Sequence, residues 1–369
     1  MKIGIVTLPL RNNYGGLLQA FALQEILKSL GHEPVTFDLP YCPKINWFRY
    51  PLILGKRLYL NLTTHNHIRL FDEFYSRKEI NLISKNTRPF IDKHIHRQEI
   101  DSFSNLDTTG VEAIIVGSDQ VWRPQYQKPE ISFLGYVHNK NIKKISYAAS
   151  FGTDIWQYNE NETNKCKKWI KDFYAVSVRE ESGVKLCKQY LDVSSTHVLD
   201  PTMLLTAEDY VRICDVDKVK ESDGNLMCYV LEQNSDINSL VAYLQDCQSL
   251  SPFSANSKFE DSTAPLEERV QGSVEGWLRG FYDAKMVITD SFHACAFSII
   301  FNKPFVVIGN KERGMSRFES LLKIFNQGFR LVTSLSEYKK KEDIILAAPN
   351  VDMERWKNES ICFLKESLK

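Results

Sequence analysis

The chain has 369 residues, more than one ordinary domain needs and enough for two. Lys plus Arg and Asp plus Glu both number 46, so the formal net charge is zero and the basic excess of a nucleic-acid binder is absent. An apolar share of 43% and a charged share of 25% fit a soluble globular chain, and no apolar run approaches the roughly 18 residues of a membrane span.

The opening apolar run, Ile3 to Leu8, contains Gly4 and stops at Pro9. It is too short for a secretory leader, so a cytoplasmic protein is expected. The run reads as a buried strand, followed by the polar loop Arg11 to Gly16, an apolar helix from Leu17 to Leu30 closed by Gly31, and a second strand from Pro34 to Leu39. That βαβ unit predicts a parallel, doubly wound sheet. Residues 43–105 are less regular. Within them, 46–60 mix aromatic and aliphatic residues with Arg49, Lys56 and Arg57; this is either a peripheral membrane contact or a buried helix. Strands are next expected at Val111–Val116, Lys144–Ala149 and Ala175–Val178, and Val198-Leu199 leads into Asp200-Pro201, where a proline ends a strand.

A charged stretch ends near Gly224, and a second α/β series follows. Strands are expected at Leu226–Leu231, Met286–Thr289 and Pro304–Ile308, with helices at Ile237–Cys247, Ser273–Ala284, Ala294–Phe301 and Phe318–Phe325. A loop is expected from Ser251 to Glu268 and a terminal helix within Val351–Leu368. The resulting fold class is α/β: two Rossmann-like, doubly wound domains facing a cleft, over residues 1–210 and 211–350, with 351–369 as a C-terminal helix. The eight cysteines form no C-x-x-C pair and read as small buried hydrophobes in a reducing compartment.

In open α/β sheets, ligands bind outside the carboxyl ends of the strands. Four polar segments fall there: Asn12 to Gly16, Gly117 to Trp122, Ser177 to Gly183, and Thr289 to His293. Together with Ser146 to Gly152 and Leu199 to Thr202, this ordered set resembles the polysaccharide pyruvyl transferase family, with similarity running from the first strand to about residue 330. The resemblance implies a GT-B-like architecture, phosphoenolpyruvate as donor substrate, no cofactor and no metal, and a sugar acceptor, free or lipid-linked, met in the cytoplasm or at the inner face of the membrane. It assigns residues 1–210 to the acceptor side and 211–350 to the donor side. In one respect this chain departs from better-known members, which carry an arginine two residues before the motif histidine; here that position is Ser291. Arg313 and Arg317 are the candidates to replace it.

Phosphoenolpyruvate carries a phosphate and a carboxylate, which arginine binds through its planar fork, and ketal formation needs a proton carrier, for which histidine is suited. His293 and Arg179 are thus the expected catalytic residues. Alternatives stay open for each: His293 as an imidazole satisfied at a helix start, Arg179 as a surface salt bridge to Glu180 or Glu181, Arg313 and Arg317 as a solvated pair. Substrate binding is expected from Asn13, Gly15, Gly16, Ser118, Asp119, Gln120, Ser150, Asp290 and Ser291, although Asp119 also suits a helix N-cap and the glycine pair a plain turn. His65-Asn66-His67 and His94-Ile95-His96 have metal-like spacing but no supporting cysteine or carboxylate pattern. Two other functions share the fold: a GT-B glycosyltransferase using a nucleotide sugar, and a non-catalytic binding protein.

Overall fold

A computed structural model of the chain describes residues 1–39, 48, 50–63, 70–215, 217–259, 261, 263–309 and 315–369. The first sheet holds β1 (Lys2–Val6), β2 (Glu33–Asp38), β3 (Arg97–Glu99), β4 (Ala113–Val116), β5 (Lys143–Ala149), β6 (Phe173–Val178) and β7 (Thr196–His197). They lie in the order β3-β2-β1-β4-β5-β6-β7. The second sheet holds β8 (Leu226–Tyr229), β9 (Pro252–Ser254), β10 (Met286–Thr289), β11 (Phe305–Ile308) and β12 (Leu331–Val332), in the order β12-β11-β10-β8-β9. Every pairing is parallel. Parallel strands covered by helices on both faces must be apolar throughout, and Ala113–Val116 and Met286–Thr289 are buried at every position. The expected pair of doubly wound, Rossmann-like lobes is therefore present.

Each sheet reverses strand order once, between β1 and β4 in the first lobe and between β8 and β10 in the second. Those reversals open a crevice at the strands' carboxyl ends. One apolar core joins the lobes. Tyr14, on the first helix (Tyr14–Ser29), stacks on Trp277 with ring centroids 5.4 Å apart. Gln271 donates from Nε2 to the Asn12 carbonyl at 3.0 Å, and Lys323 meets Glu181 at 2.7 Å. The terminal helix Glu354–Leu368 returns to the first lobe, where Ser360 Oγ accepts from the Leu199 N–H at 3.0 Å.

Three local expectations are revised. Residues 252–254, expected as loop, form the edge strand β9. Of residues 46–60, positions 48 and 50–60 are described, and apart from the buried Tyr50 the helix Tyr50–Thr63 is largely exposed: Leu52, Leu58 and Tyr59 are 75%, 51% and 65% exposed. Cys247 and Cys362 are exposed, whereas Cys166, Cys187, Cys214 and Cys295 are buried as expected. His65 and His67 lie outside the described residues. His94 packs on Phe90 and His96 Nδ1 bonds the Pro34 carbonyl, so the two rings do not converge.

Candidate functional site

The crevice contains a cavity of about 250 Å³ between the lobes. From the first lobe come Asn13 at the end of the loop after β1, and Asp119, Gln120, Arg123 and Tyr126 after β4. The second lobe supplies Tyr229 at the tip of β8, Asp290 to His293 after β10, and Arg317 near the start of helix Ser316–Ile324. Both topological reversals thus feed one cavity.

His293 sits in the first turn of the buried helix Phe292–Ile300. Its cap position, Ser291, makes no side-chain capping bond, so the first-turn N–H groups keep donors and a partial positive charge for an anion. On one side the ring meets Gly15, where a Cβ would lie 2.0 Å from Nδ1. On the other, Nε2 is 3.7 Å from Asp200 Oδ2, an electrostatic pairing too long for a hydrogen bond, and Nε2 is buried without a hydrogen-bond partner. Asp200 is anchored by Ser118 Oγ at 2.6 Å, Arg179 at 2.9 Å and Thr202 Oγ1 at 2.7 Å. Burial pushes its carboxyl up, but His293, Arg179 and Ser118 prevail and hold it well below the usual carboxylate range.

Arg179 departs from both sequence readings. Its side chain has no exposed surface and lies among Asp200, Asp119 at 3.4 Å and Glu180 at 3.8 Å, with its guanidinium 4.2 Å from the centre of the Phe292 ring. It is neither an accessible anion clamp nor a surface ion pair. It is the buried cation that holds three carboxylates together. Ser118 and Ser150 also lie behind the cavity: Ser118 donates to Asp200 and Ser150 to Glu180 at 2.8 Å. Burial of Glu180 raises its carboxyl, with Arg179 opposing. Asp119 caps no helix. It takes a left-handed φ of 74° in the loop, where its Oδ1 accepts from the Gln120 N–H at 2.8 Å.

The remaining expected residues fall as follows. Asn13, Asp119, Gln120, Asp290, Ser291, His293 and Arg317 line the cavity, and Gly15 lies against His293. Gly16 donates its N–H to Asn13 Oδ1 at 3.1 Å, capping the first helix. Asp290 accepts from the N–H groups of Leu231 and Glu232 at 2.7 and 3.0 Å, tying the loop after β8 to the helix start. Arg313 lies outside the described residues. Sequence reasoning missed Arg123, which follows the Gly117 to Trp122 motif directly and donates to Gln120 Oε1 at 2.9 Å. The Nε groups of Arg123 and Arg317 are buried and lack partners. Burial, with the repulsion of Arg179, pushes the Arg317 guanidinium down to about 10, so it stays charged near neutrality. Two arginines, a helix start and a histidine, beside the lining carboxylates Asp119 and Asp290, can take a small multivalent anion.

The fold is shared with a UDP-GlcNAc 2-epimerase from Methanocaldococcus jannaschii, 10% identical with a TM-score of 0.53, the alignment covering 99% of this chain and 100% of that one. It is shared also with an S. aureus MnaA structure solved with UDP, 11% identical with a TM-score of 0.51 and covering 100% and 96%. At such identity the likeness establishes a GT-B-like fold alone. No curated protein matches the chain. A family model described as polysaccharide pyruvyl transferase matches residues 13–312, and the chain belongs to that family.

Proposed function

We propose that the protein transfers a pyruvyl group from phosphoenolpyruvate to two hydroxyls of a sugar in a polysaccharide or lipid-linked precursor, releasing phosphate. The carrying observation is the cavity itself, which Arg123 and Arg317 line together with His293. The donor's phosphate and carboxylate occupy the arginines and the start of helix Phe292–Ile300. A proton passes to the methylene carbon, leaving an oxocarbenium-like centre that the enol oxygen stabilises. One sugar hydroxyl adds and loses its proton. The carbon–oxygen bond to phosphate then breaks, and the second hydroxyl adds and loses its proton to close the ketal.

His293 is the proton carrier. Asp200, fixed by Arg179 and Ser118, faces Nε2 and sets the ring's orientation, while Gly15 leaves the ring room on its other side. Asp119 and Gln120 are placed to hold a sugar hydroxyl from the first lobe. For a lipid-linked acceptor, the exposed Leu52, Leu58 and Tyr59 supply apolar surface suited to a membrane interface. Among the described residues, no helix is long and apolar enough to cross a membrane.

The second reading is an enzyme acting on a nucleotide sugar. Its support is the fold shared with the UDP-GlcNAc 2-epimerase and with the MnaA protein solved with UDP. The two readings separate in one assay, phosphate release from phosphoenolpyruvate in the presence of candidate sugars. Sugar-dependent release that vanishes in His293→Ala supports pyruvyl transfer. Turnover of UDP-hexoses, with none of phosphoenolpyruvate, supports the second reading.

A further inference from the structure

Gln19 lies in the second turn of the first helix, 1% exposed, and its Nε2 stands 2.8 Å from Thr7 Oγ1 and 3.0 Å from the Gly16 carbonyl. Thr7, just past β1 and also buried, reaches the Ser118 carbonyl at 3.3 Å. A carbonyl only accepts, so the direction of each bond is fixed from the two ends. The Gly16 carbonyl requires the amide nitrogen of Gln19, not its oxygen. The Ser118 carbonyl takes the single Thr7 proton, so the Thr7 oxygen accepts from Gln19. The chain therefore runs from the Gln19 amide through the Thr7 hydroxyl to the Ser118 carbonyl. Both amide protons are spent. Gln19 Oε1 is buried with no hydrogen-bond partner among the described residues, and a Cβ on Gly117 would lie 3.6 Å from it. An unpaired buried acceptor is costly, and a methionine or leucine at this position would avoid that cost. What only the amide supplies is the tie.

We propose that Gln19 and Thr7 are positioning residues for His293, joining the two elements that bracket its ring. One end of the chain is the helix start that carries Gly15, where a Cβ would lie 2.0 Å from His293 Nδ1. The other is the loop after β4, where Ser118 Oγ donates to Asp200 at 2.6 Å and Asp200 faces His293 Nε2 at 3.7 Å. With the tie broken, the helix start and the loop shift independently, and glycine and carboxylate no longer define one ring position. Neither Gln19 nor Thr7 lines the cavity, so their loss acts on turnover more than on donor binding. The effect on turnover rests on the reading of His293 as the proton carrier, whereas the effect on the ring does not.

The test follows sugar-dependent phosphate release by the full chain and, on histidine-labelled protein, the imidazole nitrogen resonances of His293, assigned by their loss in His293→Gln. Gln19→Met keeps the side-chain length without its donors. Thr7→Val keeps the shape without the hydroxyl, and Thr7→Ser keeps the hydroxyl. Gln19→Met and Thr7→Val are each expected to lower kcat about tenfold, short of the loss an ångström-sized misplacement brings. KM for phosphoenolpyruvate changes less than about twofold, and the His293 resonances move. Thr7→Ser keeps wild-type kcat and resonances. The double variant falls no further than the slower single one, because both changes break one chain. Thermal melts confirm folding, and Thr7→Val set against Thr7→Ser serves should Gln19→Met fail to fold. Wild-type kcat in Gln19→Met and Thr7→Val overturns the proposal, as does a Thr7→Ser as slow as Thr7→Val, or a fall in kcat with the His293 resonances unmoved. Should wild type release no phosphate with any sugar, the pyruvyl reading falls, and the His293 resonances in the same variants still decide whether the chain sets the ring.

Discussion

Gly15 and His293, from opposite ends of the chain, meet so closely that a methyl group on Gly15 would stand 2.0 Å from the Nδ1 of His293. No real Cβ tolerates that contact, so the glycine fixes where the imidazole can lie. Gly15→Ala is expected to displace the ring and to lower kcat about 10²-fold, the scale of an ångström-sized misplacement. Steady-state kinetics with a thermal melt checks this: kcat falls while the fold survives. Wild-type kcat in Gly15→Ala would show that the ring position is unimportant.

Arg179 is expected to matter for stability before it matters for binding. Removing it strands Asp200, Asp119 and Glu180 in the interior, and deleting one partner of a buried pair costs about 3–5 kcal/mol. Urea denaturation of Arg179→Ala should show a lower midpoint. A wild-type midpoint with lost phosphoenolpyruvate binding would restore the anion clamp that the sequence suggested.

The arginines that line the cavity are expected to matter more for binding. Arg123 and Arg317 line it with His293, and Arg317 also feels the Glu180 and Asp119 carboxylates. Arg317→Ala is expected to weaken phosphoenolpyruvate binding by roughly 2 kcal/mol or more and to lower the melting temperature less than Arg179→Ala does. Calorimetry and a melt on the same sample measure both.

Glu180 gives a pH dependence of defined sign. Burial raises its folded-state pKa above that of the unfolded chain, so its contribution is favourable below the unfolded value, about 4.3 for glutamate, and is lost as pH rises through the folded value. Glu180→Gln keeps an oxygen for the Ser150 hydroxyl and the Phe151 N–H. It should therefore match wild type in acid and exceed it in stability at neutral and alkaline pH. Melts across that range test the sign. Asp200 works the other way: its depressed carboxyl stabilises above the unfolded value of about 3.9, and that contribution fades as pH falls below it.

Much of this was legible from local pattern. β10 coincides with the apolar run Met286–Thr289, because a strand buried on both faces leaves an unbroken signature. β9 left none, being a three-residue edge strand begun by Pro252. The exposure of helix Tyr50–Thr63 was not legible either, since apolar composition does not say what covers a surface. The site divides in the same way. His293 and the lining residues at strand ends follow from position along the chain. The burial of Arg179 was not legible because its partners Asp119 and Asp200 lie 60 and 21 residues away, and only folding brings them to it. Arg123 was missed because it stands one place beyond a motif whose end was drawn at Trp122.

The central claim is that the cavity between the lobes is a phosphoenolpyruvate site. The most direct measurement is calorimetric titration of the wild-type chain and of Arg317→Ala with phosphoenolpyruvate and, separately, with UDP. The account predicts that wild type binds phosphoenolpyruvate, that Arg317→Ala binds it markedly more weakly, and that UDP gives no comparable heat. Binding of UDP by wild type with none of phosphoenolpyruvate would contradict it.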